Sequence, residues 1–220
     1  GRNGGTMHDA IEKYSFTSDG NATDVANLSV ARDGATGTQS KIYGFVSGGD
    51  SPTGHLMIDK HQFATTNDST SVGNLLNNGF LGGGVSGNDG YGYHVGGDEP
   101  VDVFIFRFSF TSDGDATDAG DMTRGTNNHC CASDWSASYG YSAGGVAPTG
   151  DVIERFAFGS SVTSSDVGDM AVDVDGAAGI SSETHGYISG GYLGGVLNHI
   201  QKYAFAASGD SADIANLTQA

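Results

Sequence analysis

The chain has 220 residues, 37 of them Gly and 3 Pro, and its 9 basic against 26 acidic side chains leave a formal charge of −17. Gly at this level without a G-X-Y period belongs to a fold of many tight turns and closely packed backbones, which excludes collagen. The charge repels phosphate backbones and anionic headgroups, which argues against nucleic acid and membrane surfaces as partners, and no apolar run approaches the ~20 residues of a spanning helix.

Along the chain the predicted elements recur. The first is a strand at Ile11-Glu-Lys-Tyr-Ser-Phe16, followed by the turn Asp19-Gly20 and a short strand ending near Leu28. An inner strand is then expected around 35–40, and a second ends at Gly48-Gly49. The pattern I-x-[KR]-[YFH]-x-F starts again at Ile58, Ile105, Ile153 and Ile200, in steps of 47, 47, 48 and 47 residues. A second pattern tracks it: Asp24-Val-Ala-Asn-Leu28, Ser71-Val-Gly-Asn-Leu75, Asp118-Ala-Gly-Asp-Met122, Asp166-Val-Gly-Asp-Met170 and Asp213-Ile-Ala-Asn-Leu217. A third is aromatic-Gly-aromatic followed by Gly-Gly, from Tyr43 to Gly49, Tyr91 to Gly97, Tyr139 to Gly145 and, with His first, His185 to Gly191. Three patterns in lockstep, each alternating with period two, predict an all-β propeller of about five four-stranded blades in a single domain, 1–220. Units 29–75, 76–122, 123–170 and 171–217 are complete, while residues 1–28 with 218–220 make a partial fifth blade, incomplete or split between the termini. Gly4-Gly5 stands where a double Gly closes the second strand. No signal-peptide pattern opens the chain, and a first residue of Gly is read as a cleaved, tagged or truncated start. The reading favoured is a piece cut from a longer repeat array.

The order of aromatic-rich strand, double Gly, loop, I-x-K-Y-x-F strand and short strand, then Ala31-Arg32, resembles a kelch repeat over nearly the whole chain. The Trp usual in the fourth strand of that family is missing, and Arg32 recurs only as Arg124. The wording Thr17-Ser-Asp-Gly-Asn-Ala-Thr-Asp-Val25 with Tyr43-Gly-Phe-Val-Ser-Gly-Gly49 is also similar to repeats in marine phage virion proteins. A five-bladed horseshoe-crab lectin is similar in blade length alone. These resemblances imply a binding or structural module, on a virion or extracellular appendage or as a protein-interaction domain.

Five of the nine basic residues, Lys13, Lys60, Arg107, Arg155 and Lys202, share one repeat position, and Asp24, Asp118, Asp166 and Asp213 recur a fixed distance on. A structural ion pair in each unit is expected (Lys13–Asp24, Arg107–Asp118, Arg155–Asp166, Lys202–Asp213), with Lys60 facing Ser71 and unpaired. Cys130 and Cys131 read as two small strand residues. The Asp113–Asp118 loop has the oxygen density of a calcium site, yet the acidic pattern is not kept in every unit, and Asp and Asn favour such turns by themselves. Gly140-Tyr-Ser142-Ala-Gly144 matches a nucleophile elbow without the helix that motif needs. Gly82–Gly87 matches a dinucleotide loop, also without its helix. The histidines form no repeating metal set. No cofactor, metal or catalytic residue is therefore expected, and a glycan-active enzyme would need a matched pair of carboxylates.

The loops joining second to third strands vary while their flanks stay constant, as binding surfaces do. They offer His55, Asp98, Glu99, Tyr192 and His199 on one face, with Trp135, the only Trp, on the other. The expected partner is a glycan or a protein ligand, and the expected assembly is multimeric or part of a larger array.

Overall fold

The computed structural model describes residues 1–51, 56–97, 102–128, 130–133, 138–146, 150–159, 161 and 163–219, with backbone alone at 2–3 and 130–133. Every regular element among them is a β-strand. β1 (Arg2–Asn3) pairs with β2 (Thr6–Met7), and β3 (Ala10–Lys13) pairs with β4 (Thr23–Asn27). Blade 1 is β5 (Thr36–Gln39), β6 (Tyr43–Ser47), β7 (Met57–Gln62) and β8 (Thr70–Asn74). Blade 2 is β9 (Gly83–Ser86), β10 (Tyr91–Gly97), β11 (Asp102–Ser109) and β12 (Thr117–Asp121). Blade 3 is β13 (Cys130–Ser133), β14 (Tyr139–Ala143), β15 (Val152–Ala157) and β16 (Ser165–Asp169). Blade 4 is β17 (Ala178–Ser181), β18 (His185–Ser189), β19 (His199–Ala204) and β20 (Ala212–Asn216). Each is an antiparallel meander, and together they are arranged as a four-blade β-propeller.

Five blades were expected and four are complete. β3–β4 is the outer half of a further unit, but β1 and β2 pair only with each other and supply no inner strands to it. Gly4-Gly5 forms the turn between them instead of closing a second strand. The inner strands lie side by side in the order β5, β9, β13, β17, and among the described residues β17 and β5 do not pack together as these neighbours do. Blade 4 is accordingly exposed on its outer side, with Ile180 68% and Ile214 46% accessible.

The aromatic-Gly-aromatic motif has a steric cause. Within each complete blade the Gly sits across from a third-strand residue, Gly92 opposite Phe108, Gly140 opposite Phe156 and Gly186 opposite Tyr203. A Cβ on Gly140 would lie 2.3 Å from the Phe156 ring, and one on Gly186 would lie 2.2 Å from Tyr203. The missing side chain is the space that the ring occupies. The double Gly is used differently. Gly48 and Gly49 have φ of 67° and 92°, and a Cβ on Gly48 would meet the Gly79 carbonyl oxygen at 2.2 Å, so the connection between blades passes directly over it.

The apolar core lies between blades. Phe45, Phe108 and Phe110 fill the first junction, Tyr93, Phe156 and Met122 the second, and Tyr141, Tyr203 and Phe205 the third. Ser142 is buried in mid-strand opposite Glu154, and Cys130 and Cys131 are strand residues of β13.

Candidate functional site

The expected ion pairs do not form, and the reason is a bulge. In every unit the pairing of third with fourth strand slips at one place, for example between Ile153 and Glu154. The extra residue shifts the register. Asp24 therefore faces Glu12 and not Lys13, Asp118 faces Phe106 and not Arg107, Asp166 faces Glu154 and not Arg155, and Asp213 faces Gln201 and not Lys202. The carboxylates of Asp118 and Asp166 instead accept the backbone N–H two residues on, at 2.8 Å from Gly120 and 3.1 Å from Gly168, which shapes the bulge. Asp213 accepts from His199 Nδ1 at 2.7 Å. Three of the five repeat cations turn to aromatic rings. Lys60, Arg107 and Arg155 lie 5.2, 5.1 and 4.4 Å from the ring centroids of Tyr43, Tyr91 and Tyr139. Lys60, expected to be unpaired, also holds Asp113 of the next blade.

The buried charges lie one residue earlier in the third strand. Asp59 accepts from Ser29 N–H at 2.9 Å and from the Ser29 hydroxyl at 2.6 Å, and Arg32 stands 3.2 Å from it. Glu154 accepts from Thr123 N–H at 2.8 Å and from the Ser164 hydroxyl at 3.0 Å, with Arg124 Nε 3.7 Å away. Gln201 does the same with an amide, accepting from Val172 N–H and donating to its carbonyl, both at 2.9 Å. Each fastens the strap joining one blade to the next. Burial pulls the Arg32 and Arg124 guanidinium groups below their ordinary range, opposed by Asp59 and by Glu154 respectively. These groups were missed as sites because the sequence repeat at this position changes chemical type: Glu12, Asp59, Phe106, Glu154, Gln201.

Of the loop residues expected to bind, His55, Asp98, Glu99 and Trp135 lie outside the described residues. Tyr192 is 53% exposed, and its backbone is held by paired hydrogen bonds with Asp175. Burial raises the Asp175 carboxyl above the usual range. Leu193 and Val196, 55% and 67% exposed, share that loop. His199 begins β19 and is committed to Asp213.

The opposite face, where first-to-second and third-to-fourth turns emerge, carries a shallow cleft. Its volume is ≈ 310 Å³, and Tyr91, Arg107, Ser109, Asp113, Asp115 and Thr117 contribute to its walls. The acidic loop lines it, but each carboxylate has a task. Asp113 holds Lys60, Asp115 accepts from Asn74 N–H at 2.9 Å, and Asp118 shapes the bulge. The cleft walls carry Arg107, Asp113 and Asp115, and Lys60 of the neighbouring blade pairs with Asp113 beside them, so the charges nearly balance within a strongly acidic molecule. Among the described residues no group of three or more His, Cys, Asp or Glu side chains is gathered as a metal set.

Compared with protein-family models and with curated proteins, the sequence matches none.

Proposed function

We propose that the chain is a non-catalytic binding module that recognises a neutral or weakly cationic glycan, displayed in many copies on a virion or extracellular appendage. The observation that carries this reading is the cleft at Tyr91, where an aromatic ring, a planar cation, carboxylates and the Ser109 and Thr117 hydroxyls converge on the outer surface. Such groups suit sugars, whose hydroxyls both donate and accept and whose C–H faces lie on aromatic rings. Local charge balance favours a neutral ligand, and the net charge of −17 works against anionic ones. A shallow cleft binds weakly, and multiple copies raise the avidity. The test is a glycan array probed with multivalent protein, beside Tyr91→Ala and Asp115→Ala. Binding that both substitutions abolish supports the reading. Silence across the array, or turnover of a bound sugar, counts against it.

A second reading, a kelch-type protein-interaction domain, is favoured by the exposed apolar trio Tyr192, Leu193 and Val196 on the other face. Capture of one specific protein, lost with Val196→Asp and unchanged by Tyr91→Ala, would select it.

A further inference from the structure

Neighbouring units are joined by contacts drawn from a recurring set of three, at least two of which are present at each junction among the described residues. First, the central aromatic of one second strand takes the aromatic pair ending the next blade's third strand. Phe45 meets Phe108 and Phe110 at 5.7 and 5.1 Å, Tyr93 meets Phe156 and Phe158 at 5.5 and 5.0 Å, and Tyr141 meets Tyr203 and Phe205 at 5.7 and 4.8 Å. Second, the fourth strand ends in a residue whose N–H donates to an Asp of the next unit: Asn27 to Asp68, Asn74 to Asp115, and Asp169 to Asp210, at 2.8, 2.9 and 3.0 Å. Third, the strap that follows is fastened by the side chain at the next third strand, Ser29 by Asp59 and Thr123 by Glu154, each through N–H and hydroxyl together.

Among the described residues both halves of this junction recur with no partner unit packed on them as within the chain. On the outer side of blade 4 stand Tyr187, where Phe45, Tyr93 and Tyr141 stand elsewhere, then Asn216 and Thr218, in the places of Asn27 and Ser29. On β3 and the turn after it stand Glu12, in the place of Asp59 and Glu154, then Tyr14 and Phe16, with Asn21 in the place of Asp68 and Asp115. The surfaces are open. Tyr14 is 63% and Phe16 94% exposed, whereas their counterparts Phe108 and Phe110 are 3% and 9%. Leu217 is 38% exposed, against 2% for Leu75 and Met122. One position departs from the pattern. Ala215 replaces Gly73 and Gly168, but Ala26 of β4 occupies that position where β3–β4 meets blade 1 and is buried there, at 5%.

We propose that these two surfaces are the halves of an interface between copies of this chain. A second copy packs its β3–β4 half-blade onto the outer side of blade 4, so that Phe16 and Tyr14 lie against Tyr187, Glu12 accepts from Thr218, and Asn21 accepts from the Asn216 N–H. The two patches differ, so the contact is head-to-tail and adds copies until the series closes. The occupant is another copy because that half-blade carries every group the blade 4 side requires, in the register that joins the units within the chain.

Sedimentation velocity over a wide concentration range tests this, with Phe16→Asp and Leu217→Asp, at positions 94% and 38% exposed, and with circular dichroism to confirm that each variant keeps its sheets. The wild-type chain should form dimers and larger species as concentration rises. Each variant alone should associate about tenfold more weakly or worse. An equimolar mixture of the two variants keeps one intact pair of surfaces and should form a 1:1 dimer that grows no further. A wild-type chain that stays monomeric throughout, variants that associate as well as wild type, or a mixture that stays monomeric would each overturn the proposal.

Discussion

Two carboxylates in the same outer region have very different tasks. Glu154 is fully buried, receives the Thr123 strap and the Ser164 hydroxyl, and balances Arg124. Its replacement by Ala strands a buried guanidinium and should cost about 3–5 kcal/mol, read as a fall in the urea midpoint. Asp118 is exposed and only shapes a bulge, so Asp118→Ala should cost about 1 kcal/mol or less. Equal losses would mean that the strap is not fastened by charge. Tyr93 gives a pH signature. Burial, with the hydrogen bond it donates to Asp89, pushes its hydroxyl up to about 12, from an ordinary 10.0. A folded-state value above the unfolded one stabilises the native chain fully below the unfolded value, and that contribution is lost as pH climbs from there to the folded one. Stability should therefore fall between about pH 10 and 12, and the fall should be shallower in Tyr93→Phe when denaturation midpoints are compared across that range.

At the level of strands, the motif glycines can be ranked by what an added methyl would strike. Gly140→Ala meets the buried Phe156 ring at 2.3 Å and should lower stability by about 1–3 kcal/mol. Gly44→Ala meets Phe63 at 3.0 Å, and that ring is 45% exposed and free to turn aside, so its melting temperature should barely change. The strands themselves were legible in the sequence because period two and the Gly-Gly punctuation are local signals. Ile153, Tyr141 and the rest fall where that alternation puts them. The ion pairs were not legible. Pairing Arg155 with Asp166 assumes an unbroken register, and a bulge leaves no mark beyond a small residue such as Gly168. The strap-fastening side chains were hidden for another reason: Asp59, Glu154 and Gln201 are alike in what they bind and unlike in sequence. The cleft at Tyr91 has no sequence signature, because its walls come from separate strands and turns that only the fold brings together.

Over the whole molecule the net charge of −17 opposes compactness, so added salt should raise the melting temperature by screening. If the cleft at Tyr91 binds a neutral sugar, affinity measured by calorimetry should stay level over the same salt range, since its own charges cancel. The ordering of the inner strands has another consequence. Among the described residues the inner strands of blades 2 and 3 pack against neighbours on both sides, blade 4 packs chiefly against blade 3, and β3–β4 is joined to blade 1 through Asn27–Asp68 and Ser29–Asp59. Units that touch only their neighbours open from the ends inward, without waiting for the centre. Amide hydrogens should therefore exchange in a graded sequence, β17–β20 and β3–β4 first and β10 and β14 last, instead of all at one rate. The chain would keep its middle closed while its rims breathe, and a neighbour seated on either rim would register as slowed exchange there long before any change at the centre.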